Sequence, residues 1–308
     1  MAAYIVRRLA LSTLSIFGVL LVIFLLIRVS GDPAVLLAGP DARPADIERT
    51  RQSLGLDDPL PVQFGRFLID AVQLDFGTSF HWREPALPLV MSRVWPTLQV
   101  ALGAFAISLL LGIPIGVFAA LKRDSVWDGG SRLFALAGQA MPTYWLGLML
   151  ILLFSVKVNL FPTSGTGSLR HIVLPAITLG WFTTAATVRM LRSSMIEVLG
   201  QDFVRTARAK GLKPSAVVWT HAFRNAAIPV VTLLGLQIST LISGSAIVET
   251  VFAIPGIGLL AVQAVYARDY PVVQSVVFLS SLILILSNLG VDLLYGVIDP
   301  RIRVETRS

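Results

Sequence analysis

Of the 308 residues, 55% are hydrophobic and only 14% are charged, and the mean hydropathy is +0.77. A soluble domain carries about 25% charged residues, so most of this chain must be solvated by lipid. The net charge of +7 does not imply a nucleic-acid partner, because the basic residues cluster at the ends of apolar runs, where they orient a membrane protein.

In chain order, Arg7 and Arg8 precede an apolar run from Leu9 to Ile27. A cleaved leader has an apolar region of about 7–15 residues and ends at small residues. This run is longer and Arg28-Val29-Ser30-Gly31-Asp32 is a poor cleavage site, so a retained first span is expected. A spanning helix needs roughly 20 apolar residues, and six spans are predicted at about 9–28, 97–120, 133–156, 173–193, 226–250 and 273–295. Residues 29–96 form a long polar region with short interfacial helices predicted near 45–54 and 61–73. The chain thus divides into a tail and first span (1–28), a loop region (29–96) and a transmembrane core (97–308).

The short loop 121–132 carries Lys122, Arg123 and Arg132, and 157–172 is rich in Gly, Ser, Thr and Pro. Fifteen Lys and Arg fall on the segments sharing one side, span ends included, against Lys157, Arg170 and Arg268 on the other. Long loops translocate largely regardless of charge, so 29–96 is left out of that balance together with Arg28. Both termini and residues 194–225 are therefore expected in the cytoplasm, with 29–96 and 251–272 outside. A membrane barrel would show period-2 alternation, which is absent. No internal repeat of the kind found in many secondary transporters is evident.

The segment 202–224 is a basic interruption between two membrane-length runs. Asp202 is a plausible helix start and Gly211 a plausible stop, since glycine takes the left-handed cap at low cost. Within that helix Phe203 and Ala207 share one face, Arg205 and Arg208 another, and Thr206, Ala207 and Ala209 are small enough for close approach. Pro214 and Ser215 start a second helix with Val217, Val218 and Trp219 as apolar contacts, and Asn225 and Pro229 mark the return to the fifth span. Two readings stand: an amphipathic loop on anionic headgroups, or a lever that couples a cytoplasmic motor to the spans.

The chemistry of catalysis is missing. No Gly-x-x-x-x-Gly-Lys-Ser/Thr occurs, so any ATP must be bound by another polypeptide. The absence of cysteine excludes disulfides and thiolate metal sites, and His81, His171 and His221 lie in separate loops, so no metal site or catalytic residue is expected. Gly256-Ile257-Gly258 lacks the strand and helix of a dinucleotide site and reads as a re-entrant turn. Ser243-Gly244-Ser245 has no histidine or lysine partner within a span, which argues against a membrane hydrolase.

Polar groups in the spans are candidate pathway residues. Gln237, Thr240 and Gly244 fall at i, i+3, i+7, and Ser239 and Ser243 at i, i+4; interhelical packing is the competing role. In the sixth span Ser281, Asn288 and Asp292 share a stripe, and for Asn288 and Asp292 a hydrogen bond at the span's cytoplasmic end is the competing role. Gln139 with Pro142 suggests a kink beside the path. No strong charge cluster is evident within the spans.

The 202–224 segment resembles the EAA loop of ABC importer permeases, with Arg205-Thr206-Ala207, Gly211 and Ile228-Pro229 at the matching positions. Arg-Thr-Ala departs from Glu-Ala-Ala, but Arg205-Thr206-Ala207-Arg208-Ala209-Lys210-Gly211-Leu212 is similar to the dipeptide/oligopeptide/nickel branch. So are Tyr4 to Leu9, Gly31-Asp32-Pro33-Ala34, Leu54 to Asp57, Asp75 to Ser79, Leu174-Pro175-Ala176, Val248 to Phe252 with Pro255 to Gly258, Arg268 to Pro271, and Tyr295 to Arg301. The resemblance is to the B-type permease subunit and covers nearly the whole chain. It implies an all-α integral membrane protein of six transmembrane helices, with type I ABC importer permease architecture, in the bacterial inner membrane. It also implies a second homologous permease as heterodimer partner, two ATP-binding subunits carrying ATP and Mg, and an extracytoplasmic solute-binding protein. Phe203 and Arg205 to Leu212 would then couple to the ATPase, while Glu249, Pro255 and Gly256 would help gate the outer mouth. Peptides are the expected cargo, with nickel complexes or glutathione as alternatives; a stand-alone secondary transporter is the reading from another class.

Overall fold

In the computed structural model, residues 2–38, 42–53 and 55–298 are described, with side chains from Leu11 onward except at 30, 36–38 and 292–298. Leu54, the segment beyond Ile298 and the side chain of Asp292 lie outside the described residues. The architecture is all-helical: α1 (Ala2–Ser30), α2 (Pro33–Ala38), α3 (Pro44–Ser53), α4 (Leu60–Val72), α5 (Ala86–Ser92), α6 (Val94–Leu121), α7 (Val126–Ala140) and α8 (Thr143–Leu150) come first. Then follow α9 (Leu169–Leu199), α10 (Asp202–Ala209), α11 (Pro214–Ala216), α12 (Phe223–Val251), α13 (Ile257–Tyr266) and α14 (Tyr270–Ile298). Wider π turns extend α8 through Ile151–Lys157 and join α11 to α12 through Val217–Ala222.

Among the described residues five helical stretches are long and apolar enough to cross a membrane, and α7 with α8 makes a sixth that is bent by 110°. The kink expected at Gln139 and Pro142 is therefore a full break in the third span. Met141 is extended at φ −81°, ψ 126°, and Pro142 cannot donate the hydrogen bond that would carry the helix through. The helix also starts earlier than hydropathy suggests, because the Ser125 side chain accepts from the Asp128 backbone N–H and caps it. The interfacial helices near 45–54 and 61–73 are present as α3 and α4. The expected turn at Gly256-Ile257-Gly258 is instead the start of a short apolar helix, α13.

The chain forms two compact units, residues 1–95 with 256–308, and residues 96–255. In the first, Leu20, Phe76, Leu89, Val90, Leu260, Val276 and Leu279 share a core. The Arg28 guanidinium donates twice to Gln63 Oε1 (2.7 and 3.0 Å), and the Gln63 amide donates to the Leu56 and Asp58 carbonyls (2.8 Å each), pinning α4 to the end of α1. The carboxylate of Asp269 accepts from the Ser79 hydroxyl (2.5 Å) and the His81 backbone N–H (2.9 Å), which holds the 75–85 loop beside the start of α14.

In the second unit α9 is the centre, packed on α12, α7 and α8. Lipid tails are as apolar as a leucine side chain, so helices in a membrane associate through close packing of small residues. Helix α6 shows this: Ala104, Ser108, Gly112, Gly116 and Ala120 recur every fourth residue and all are buried. Across from them a Cβ at Gly180 would lie 2.8 Å from the Ala104 carbonyl oxygen, and one at Gly112 2.9 Å from Thr187. The hydroxyls of Ser108 and Thr187 bond at 3.1 Å within that crossing.

Candidate functional site

Three local structures carry most of the candidate residues, which lie largely in the second unit. The first is the 202–224 segment. Helix α10 ends in a complete Schellman cap: the Gly211 N–H donates to the Arg208 carbonyl (3.0 Å) and the Leu212 N–H to the Ala207 carbonyl (3.4 Å). Gly211 sits at φ +76°, the left-handed conformation that the glycine stop anticipates. Its buried side is Val204 and Ala207, in one core with Val117, Leu191, Met195, Val217 and Ala226. Phe203, one turn from Ala207, is 38% exposed, whereas Val204 is fully buried. Arg205, Thr206, Arg208, Ala209, Lys210 and Leu212 are all exposed. Of the three expected apolar contacts Val217 is buried, whereas Trp219 is half exposed and stacks obliquely on Phe223, with ring centroids 5.3 Å apart. Pro229 lies inside α12, so 214–251 is one continuous rod. Displacement of α10 would thus act directly on a membrane helix.

The second is a polar cluster between α7 and α9. Asp128 is fully buried and is gripped by both the Nε and Nη2 of Arg192 and, at 2.5 Å, by Arg132. Arg132 also reaches Asp124, at 3.3 Å. Two turns further along, Arg189 Nη1 donates to Gln139 Oε1 at 3.0 Å, where Gln139 occupies the last turn of α7. Arg132, Gln139, Arg189 and Arg192 line a cavity of about 210 Å³. Of this cluster Arg189 and Arg192 fall near the end of the predicted fourth span, whereas Asp124, Asp128 and Arg132 fall in the predicted loop 121–132. Asp128 and Arg132 were hidden by placing the third span's start at 133. The capping pattern Ser125-x-x-Asp128 is the signal that would have found them.

The third lies where α12 ends. Glu249 is fully buried and accepts from the Thr97 hydroxyl at 2.7 Å. Its backbone carbonyl accepts from the Ile254 N–H at 2.9 Å, closing a turn in which Ala253 takes φ +48°. The 157–168 loop docks on that turn through Gly165 N–H to the Phe252 carbonyl, 3.0 Å. Pro255 is half-buried, and Gly256 precedes α13.

The remaining pathway candidates do not form one surface. Gln237 is buried and donates to the Thr183 carbonyl at 3.4 Å, and its Oε1 has no hydrogen-bond partner. Thr240 and Ser243 are exposed instead, so the spacing that aligned Gln237 with Thr240 does not survive packing on α9. Ser245 is buried and bonded back to the Ile242 carbonyl at 2.9 Å, a packing role. Asn288, on α14 in the other unit, is exposed.

Comparison with known proteins now decides the class. Residues 112–304 match the family described as binding-protein-dependent transport system inner membrane component, and residues 1–101 match that family's N-terminal region. The chain belongs to this family. It is 42% identical over 314 residues to a protein of Brucella abortus (strain 2308), provisionally named a peptide transport system permease, covering 99% of this chain and all of the relative. It is 43% identical over 306 residues to the glutathione transport system permease protein GsiC of Escherichia coli (strain K12), with the same coverage. The fold is that of ABC importer permeases. An inward-facing MetNI methionine ABC transporter chain superposes with a TM-score of 0.57 at 20% identity, covering 68% of this chain and 96% of that one. An amino acid ABC transporter chain gives a TM-score of 0.51 at 16% identity, covering 67% and 92%. This binding-protein-dependent permease is a multi-pass inner-membrane transport subunit, working with ATPase and substrate-binding subunits.

Proposed function

We propose that this permease imports di- or oligopeptides by alternating access, as one half of a heterodimer with a second homologous permease. Two ATP-binding subunits supply the energy and an extracytoplasmic binding protein supplies the cargo. The chain itself carries out no bond chemistry. The observation that carries the reading is identity above 40% along the whole length to relatives named for peptide and glutathione transport. Glutathione is itself a small peptide, so the two names describe one chemical class, whereas a nickel complex would not.

In this reading both termini and α10 face the cytoplasm. Phe203 and Arg205 to Leu212 meet the ATPase, and the buried pair Val204 and Ala207 transmits its movement. What supports the lever is the join: α10 is anchored in a core whose other members lie on α6, α9 and α12. Glu249, Pro255 and Gly256 belong to the outer gate, where a buried carboxylate tied to α6 through Thr97 would register a shift between the two helices.

The test is reconstitution of the complex in vesicles with ATP on the ATPase side. Uptake of labelled peptide that needs ATP and the binding protein supports the proposal. Gradient-driven uptake by this chain alone would place it among secondary transporters, and ATP-driven uptake of nickel without peptide would change the cargo class.

A further inference from the structure

Arg189 is the one member of the α7–α9 cluster whose charge the described residues leave unmatched. Arg132 and Arg192 both close on Asp128, and Arg132 also on Asp124. Arg189 reaches only the neutral amide oxygen of Gln139. It sits four residues before the predicted end of the fourth span at 193, about 6 Å along the axis at 1.5 Å per residue. A guanidinium inside a span is costly unless it faces water or an anion.

Three further observations point the same way. Arg189 is exposed, on the wall of the 210 Å³ cavity with Ser131, Arg132, Leu136, Gln139 and Arg192. A water takes about 30 Å³, so the cavity has room for a carboxylate and attendant waters. Because Gln139 spends its oxygen on Arg189, its NH2 group remains as a second donor beside the guanidinium. Two residues beyond Gln139 the helix breaks by 110° at Met141-Pro142. Non-helical backbone at membrane depth is tolerated where it is buried in protein or lines a wet cavity.

We propose that Arg189 and Gln139 form a carboxylate-binding station for the cargo on its way through the permease, engaging the C-terminal carboxylate of a peptide. The inference rests on the peptide reading above. Guanidinium and amide N–H groups converging on one carboxylate make charge-assisted bonds, which outweigh neutral ones. Asp128 serves a separate purpose: it holds Arg132 and Arg192 back, so that a single cation is presented and the cargo can leave.

The experiment uses the full complex in vesicles, with trialanine and trialanine amide as cargos and the same binding protein throughout. Arg189→Gln should slow uptake of the free acid about tenfold relative to wild type and leave the amide within twofold, as expected for one charge-assisted hydrogen bond. Arg189→Lys should fall between, and Gln139→Ala should give a smaller loss confined to the free acid. Equal slowing of both cargos, or no change in either, overturns the station. So does an effect that appears only with anionic lipid in the vesicle, which assigns Arg189 to a lipid phosphate. Failure of Arg189→Gln to co-purify with the second permease assigns it to a subunit contact and equally overturns the proposal. If wild type itself takes up neither cargo, the peptide reading fails, and the station with it.

Discussion

Replacement of Gly211 separates backbone conformation from every other contribution at the coupling segment. Gly211 adopts φ +76°, and a Cβ built there meets nothing within 4 Å, so a substitution is not opposed by a clash. The cost is intrinsic: an L-residue in the left-handed region loses about 1–2 kcal/mol, more for a β-branched side chain and least for Asn. At about 1–2 kcal/mol, a local equilibrium shifts by a factor of roughly 5–30. Gly211→Val should therefore release the Schellman bonds from Gly211 and Leu212 and fray the last turn of α10, while Gly211→Asn should retain them. In vesicles, Gly211→Val is expected to lose peptide uptake and weaken ATPase association, with membrane insertion intact, whereas Gly211→Asn keeps at least half of wild-type uptake. If Asn is as damaging as Val, the surface at 211 matters and not its φ. If Val transports normally, the rigid-lever argument is refuted.

Three further outcomes follow from the packing. Gly180→Ala should destabilise the permease by about 1–3 kcal/mol, the range for overpacking, because its Cβ would lie 2.8 Å from the Ala104 carbonyl oxygen and α6 would have to move; thermal unfolding in detergent measures this. Asp128→Ala should lower the unfolding temperature more than Asp128→Asn, since Asn still accepts from Arg192, and Arg192→Met combined with Asp128→Ala should recover part of the loss. Thr97→Val should cost about 1–2 kcal/mol by removing a donor from the buried Glu249 carboxylate, and should alter uptake more than Gly180→Ala does if the end of α12 is a gate; parallel unfolding and uptake curves decide it.

Where helices begin and end was largely legible in the sequence, because those limits are local. Gly211 stops α10, Pro214 opens the next helix, and α3 and α4 lie within a residue or two of their expected positions. Which face a helix turns inward was much less legible, and the reason is physical. In water an apolar stripe marks the buried face, but in lipid both faces are apolar and the stripe disappears. Helix α6 is apolar all round, and its packing face is written in volume instead: Ala104, Ser108, Gly112, Gly116 and Ala120, each four residues apart. The same rule explains why Gln237 and Thr240 part company on α12, where contact with α9 and not polarity sets the rotation.

Charge pairing was illegible for a related reason. Counting Lys and Arg by segment treats each as an independent marker of sidedness, and a count does not register that Arg192 and Arg132 are spent on one carboxylate. Once those two are paired, the segment's surplus near the spans reduces to Arg189, which the tally placed at a span end as a marker of sidedness. A residue that only oriented the helix would sit at its end with its donors in water or headgroups. Arg189 instead lies about 6 Å inside the predicted end of its span and holds Gln139, two residues before the Met141-Pro142 break. Sidedness could be satisfied by Arg205, Arg208, Lys210 and Lys213 without it. A cation not needed for topology, at the wall of a cavity beside a broken helix, is what the proposed carboxylate station requires, and the free-acid and amide cargos test it.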